Sequence, residues 1–233
     1  LHLGRAPDRP HRHGFLPSSP LLPAFTGADG TTAVVVVDGI GNSPQVTEMA
    51  HVLATAIARL AVRVDARSAQ PTAGQVIGDR GLEGDAPNAF AVVAVARPGT
   101  PTKVAWVGDT PAHGFNRDLQ RLHRYTTPVA VGEQLRRNGA PWEIAAEHDN
   151  WVPANLATAA VGNVYTVDIP SEEVVLLCSD GVPDGLARGR LDELAAEHAD
   201  RPAALAEADA TATEPDSDGY RDDATLVVLE PAP

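Results

Sequence analysis

The chain has one cysteine, Cys178, so no disulfide framework or cysteine-ligated zinc site can be built within it, and a reducing, cytoplasmic setting fits. Lysine is as scarce, with Lys103 alone, and the formal net charge is -13. That balance argues against a nucleic-acid or anionic-membrane surface, since both need clustered Lys and Arg to neutralise phosphate. No apolar run approaches the roughly 18 residues that span a bilayer, and stretches such as Ala33 to Val37 are strand-sized. The chain starts at Leu1 rather than methionine, which leaves the native N-terminus and any targeting segment open. The acidic surplus is either a solvated surface or a set of carboxylates gathered around cations, and position decides between them.

With 233 residues and 43% hydrophobic content, one sizeable core and a single domain over residues 31 to 233 are expected. Residues 1 to 30, rich in Pro, Arg, His and Gly, read as an irregular entry segment. Ala33 to Val37 is a β-branched run of the kind a strand buried on both faces requires, closed by the turn formers Asp38 to Asn42. From Thr47, its expected N-cap, to Val64, apolar residues at helical spacing predict an amphipathic helix. Residues 65 to 88 read as a short helix and then a loop. Phe90 to Ala96 and Lys103 to Val107 form a predicted hairpin, with Ala112 to Asn116 extending the meander.

Further helices are expected at Val131 to Asn138, Pro141 to His148 and Leu191 to Ala210, with an acidic loop at Glu214 to Asp218. Strands are expected at Val174 to Cys178 and Ala224 to Leu229. Strands and helices fall in segregated groups, which favours an α+β fold over a doubly wound sheet.

Each of Val37-Asp38-Gly39, Ser179-Asp180-Gly181 and Asp222-Asp223-Ala224 sets a carboxylate at the edge of a strand too apolar to be exposed, and Val107-Gly108-Asp109-Thr110 follows the same plan. An Asp-Gly after a strand is by itself usually a turn. Carboxylates crowded where a core ends repel one another and lose hydration, so they need cations or donors. Magnesium or manganese suits a set of Asp residues with no His or Cys beside them.

In these four elements the chain resembles the protein phosphatase 2C-like, metal-dependent serine/threonine phosphatases. The family's strand-Asp-Gly-x-Gly element falls on Val34 to Gly41 and its Gly-Asp-Ser/Thr element on Gly108-Asp109-Thr110. Its Ser-Asp-Gly element falls on Ser179-Asp180-Gly181, and its Asp-Asn-x-Thr element on Asp222-Asp223-Ala224-Thr225. The resemblance implies a four-layer α-β-β-α sandwich with two central antiparallel sheets and a metal cleft at one edge. It implies two Mg2+ or Mn2+ ions bridged by Asp38, with the Gly39 carbonyl as a further contact and Asp180 and Asp222 on the second ion. Asp109 matches the position that helps hold a third, looser metal. The implied reaction is hydrolysis of phosphoserine or phosphothreonine on a protein substrate by a two-metal-activated water, with no phosphoenzyme, which leaves Cys178 a core residue.

The sequence also departs from the family. An Arg that binds substrate phosphate, with an acidic cluster beside it, usually precedes the first element by about twenty residues, yet residues 9 to 28 contain no Asp, Glu or Asn. Arg12 is the candidate phosphate ligand, although Arg5 and Arg9 are equal in kind. Thr110 is followed by Pro111 rather than the common Arg, Asp223 stands where Asn is commoner, and Asn42 replaces a glycine. His11, His13, His51, His113, His123 and His148 are the candidates for protonating the leaving group, and none has a spacing that singles it out. Three readings follow: an active phosphatase, a catalytically weakened phosphatase-like domain serving as a regulatory or binding module, or an unrelated metal-dependent hydrolase or cation-binding domain.

Overall fold

The computed structural model describes residues 2–4, 24–41, 43–77, 87–182, 190–198 and 224–231. Within them the chain builds two antiparallel sheets with helices, an α+β fold. Sheet B holds β2 (Ala24–Thr26), β3 (Thr32–Ile40), β4 (Asn88–Ala96), β5 (Thr102–Val107) and β8 (Tyr165–Ile169) in the order β2-β3-β4-β5-β8. Sheet A holds β1 (His2–Gly4), β6 (Ala112–Asn116), β7 (Arg121–Arg124), β9 (Val174–Cys178) and β10 (Ala224–Leu229) in the order β1-β10-β9-β6-β7.

Strand alternation distributes the core. In β3, Ala33 and Val35 pack with helices α1 (Pro44–Arg63) and α2 (Ala66–Gly74), while Val34 and Val36 join a cluster that also draws Val175 and Leu177 of β9 and Val227 of β10. The opposite parity of β9, Val174, Leu176 and Cys178, packs against Leu191 and Leu194 of α5 (Arg190–Glu197). Three clusters therefore line up as helices on sheet B, sheet B on sheet A, and sheet A on a helix. Each apolar strand is buried on both faces, as its lack of polar alternation requires.

Helix α1 begins three residues before the expected Thr47. Ser43 is its N-cap, with Oγ accepting from Val46 N at 3.3 Å, and Pro44 fills the first helical position, where its missing N–H costs nothing. Thr47 N already donates to Ser43 O, so Thr47 lies inside the first turn. The short helix expected after residue 65 is α2, capped by Asp65, whose Oδ1 accepts from Arg67 N and Ser68 N at 2.8 Å each. Helices α3 (Val131–Arg137) and α4 (Trp142–Ala146) fall where expected.

The meander does not continue past β5. After Val107 the chain leaves sheet B, and β6 pairs with β7 and β9 in sheet A. Strands β7 and β8 went unread because their burial is one-sided: Leu122 is the one buried residue of β7 and Ile169 of β8. Two three-residue strands, β1 and β2, fall inside the segment read as irregular and pair with β10 and β3. Of the loop expected at 78–88, residues 78–86 lie outside the described residues and Asn88 already begins β4; the acidic loop at 214–218 and the end of the predicted helix at 199–210 also lie outside them. Among the described residues no helix is long and apolar enough to cross a membrane.

Candidate metal-binding site

The strand registers bring the carboxylate-bearing segments to one end of the two sheets. In sheet B, Asp38 is opposite Phe90 and Val107 opposite Ala91, so the ends of β3 and β5 flank the same end of β4. In sheet A, Ala112 is opposite Leu177 and Leu226 opposite Cys178, which sets the start of β6, the end of β9 and the start of β10 side by side. Residues 108–111 join β5 to β6, and the five steps from Val107 to Ala112 span at most about 18 Å. The two groups of strand ends are therefore held close together.

Asp38 is half-buried and shares the parity of Val34 and Val36, which puts it on the face of sheet B that packs toward sheet A. It extends an apolar row by one polar residue at the point where the row meets solvent. Gly39 follows because α1 starts directly over it: a Cβ there would lie 2.4 Å from Val46 Cγ1. Gly108 turns the chain out of sheet B with φ +95, and a Cβ on it would lie 2.4 Å from Phe90 Cδ1. Glycine is thus required twice, for conformation and for space.

Asp109 is half-buried in that crossover, where Arg124 Nη2 donates to its carbonyl at 3.2 Å and Val129 N donates to Gly108 O at 3.0 Å. Pro111 O then accepts from Cys178 N at 3.1 Å, fastening the crossover to β9. Asp180 follows immediately. Ser179 N donates to Thr225 O and Ser179 Oγ accepts from Thr225 N, each at 3.0 Å, so the residue before Asp180 is tied to the start of β10. Asp180 is half-buried, with the crossover on one side of its strand and β10 on the other.

The donors at this edge are the carboxylates of Asp38, Asp109 and Asp180 and the carbonyl of Gly39. All are oxygen, and Cys178 is excluded by its 0% exposure on the opposite face of β9. This donor chemistry fits a hard divalent cation such as Mg2+ or Mn2+. Among the described residues no three His, Cys, Asp or Glu side chains form a ready cation cluster. Asp222, expected to complete the set, lies outside the described residues, as do Arg12, Asn42, Asp223, His11 and His13.

The remaining histidines have other surroundings. His113 is buried in β6, and desolvation, with the nearby charges of Arg124 and His123, pushes its pKa down to about 3. His51 and His123 are exposed, and Nδ1 of His148 lies 2.8 Å from Ile144 O. Sequence reasoning missed Ser179, Phe90 and Arg124. Ser179 lay in view inside the Ser-Asp-Gly element, whereas the other two act through strand pairing that no local pattern announces.

No protein-family model matches the chain, and no curated protein matches it in sequence. Solved structures do match its fold. A serine/threonine phosphatase of S. agalactiae superposes with a TM-score of 0.66 at 14% identity, over 90% of this chain and 92% of the other. The serine/threonine phosphatase PstP of Mycobacterium tuberculosis gives 0.60 at 18% identity, over 94% and 96%. The catalytic domain of PstP in complex with two manganese ions gives 0.61 at 17% identity, over 93% and 94%. Two antiparallel sheets with their helices thus define an α+β fold shared with serine/threonine phosphatases. The chain has the protein phosphatase 2C-like fold.

Proposed function

We propose that this chain is a metal-dependent phosphatase that hydrolyses phosphoserine or phosphothreonine on proteins. The observation that carries the reading is the meeting of the Asp38, Asp109 and Asp180 segments at one edge of a phosphatase-like fold. The manganese ions in the related PstP structure support the choice of cofactor.

Asp38, the Gly39 carbonyl, Asp180 and Asp222 would hold two Mg2+ or Mn2+ ions, with Asp109 available to a third. Bound there, the ions would supply the Lewis acidity that activates water and offsets charge developing on the phosphoryl oxygens. The protein's own part is positioning. Asp38 closes the inner row of β3, so its carboxylate is held by a strand buried on both sides rather than by a loop. Ser179 anchors the peptide before Asp180 to β10 through its hydroxyl. Neither Cys178 nor Ser179 serves as nucleophile: both are buried, and Ser179 Oγ is engaged by Thr225 N. Arg12 is assigned to the substrate phosphate, whose oxygens a guanidinium fork matches.

The absence of Asp, Glu and Asn from residues 9 to 28 favours a second reading, a weakened phosphatase-like module that binds rather than turns over. Hydrolysis of a phosphothreonine peptide, with Mn2+ and with chelator, separates the two. Turnover that needs Mn2+ supports the enzyme. Its absence in folded protein that still binds Mn2+ supports the module.

A further inference from the structure

Arg124 closes β7 opposite His113 of β6, and its guanidinium grips two carbonyls at once. Nε donates to Thr126 O at 3.1 Å and Nη2 to Asp109 O at 3.2 Å. A planar guanidinium fixes the spacing of the acceptors it bridges, which an ammonium on a flexible stem does not. The acceptors belong to different segments, the crossover that carries Asp109 and the stretch that follows β7. The same two segments are joined by Ala112 N to Thr126 Oγ1 and Tyr125 N to Ala112 O, both 2.9 Å, and by Val129 N to Gly108 O. Arg124 supplies the contact at Asp109 itself.

We propose that Arg124 is a positioning residue for Asp109: by holding the Asp109 peptide against the segment after β7, it sets the direction in which the carboxylate enters the cation site. The side chain following Asp109-Thr110 is Pro111, which has no donor to offer, so the hold comes from a neighbouring strand. This inference rests on the metal-dependent reading above. Groups that orient a ligand from behind it typically change metal affinity by about 10–100-fold when removed.

The test is Mn2+ titration of the full chain followed by the electron paramagnetic resonance signal of free Mn2+, which needs no turnover, on wild type, Arg124→Gln and Arg124→Lys. Positioning requires the bridged carbonyls, so both variants weaken the loosest Mn2+ site by about tenfold and leave the tighter sites unchanged. With p-nitrophenyl phosphate as substrate, both then raise the Mn2+ concentration for half-maximal rate while kcat at saturating Mn2+ stays near that of wild type. Wild-type-like binding in both variants overturns the inference and leaves the proposed function standing. So does tighter binding in Arg124→Gln with none in Arg124→Lys, which would make charge rather than position the cause. Loss of every site with a lowered unfolding temperature would mark Arg124 as merely structural, and no Mn2+ binding in wild type would overturn the proposed function as well.

Discussion

Asp38 and Phe90 stand directly opposite each other in the β3–β4 ladder, and the Phe90 ring fills the space that a Cβ on Gly108 would need. The aromatic thus joins the end of β3 to the crossover carrying Asp109, and the spacing of the carboxylate segments is set by packing.

Gly108→Ala should break that join. The substitution meets the Phe90 ring at 2.4 Å and must hold φ at +95, a region that costs a side chain roughly 1–2 kcal/mol before any clash. Urea denaturation should show a loss of at least about 2 kcal/mol. Phe90→Ala in the same chain should recover only part of the steric loss, because the Phe90 Cβ that remains would lie 2.7 Å from the new Cβ, and should leave the backbone part.

Gln70 offers a gain in stability. It is 0% exposed in α2, and neither its Nε2 nor its Oε1 has a hydrogen-bond partner among the described residues. An unpaired buried amide costs about 1–3 kcal/mol. Gln70→Met, close in shape and without polar hydrogens, should raise the urea midpoint by an amount worth about 1 kcal/mol. A lowered midpoint would mean that the amide is satisfied by ordered water in solution.

His113 should make the fold acid-sensitive. Its buried imidazole, with Nδ1 unpartnered among the described residues and Arg124 and His123 nearby, has its pKa pushed down to about 3. A depressed folded pKa means that the unfolded chain binds the proton first. The contribution is therefore complete above the ordinary histidine pKa, near 6.5, and is lost as pH falls toward about 3. Its slope in that window is at most about 1.4 kcal/mol per pH unit. Denaturation of wild type and His113→Leu at pH 7.5 and pH 5 should show the smaller acid loss in the variant. Equal losses would contradict the assignment.

How far the sequence carried the fold can be seen strand by strand. Strands β3, β4, β5, β9 and β10 were legible because double-sided burial writes a nearly continuous apolar run. Strands β7 and β8 were not, since each fully buries one side chain and is otherwise largely exposed, Val167 of β8 being half-buried. The passage of β6 into the other sheet depends on the positive φ of Gly108, which a glycine in a sequence permits without requiring. The start of α1 is marked by Ser43-Pro44, but Thr47 also offers a favourable N-cap side chain beside the first apolar residues, so the period and the cap preference together pointed one turn too late.

The candidate site divides in the same way. Asp38, Asp109 and Asp180 were legible as carboxylates at the ends of buried strands, and the registers show how their segments come to one edge. Arg124 was not, because what brings it to Asp109 is the pairing of β6 with β7, a property of register rather than of spacing.

The metal-dependent function requires a cation held between Asp38 and Asp180. Anomalous diffraction at the manganese edge, from crystals of the full chain grown with Mn2+, should show density shared by the carboxylates of Asp38 and Asp180, lost in Asp180→Asn crystals. Ordered Asp38 and Asp180 with no manganese between them, or with carboxylates more than about 8 Å apart, too far for ions about 4 Å apart to bridge, would contradict the metal-dependent function.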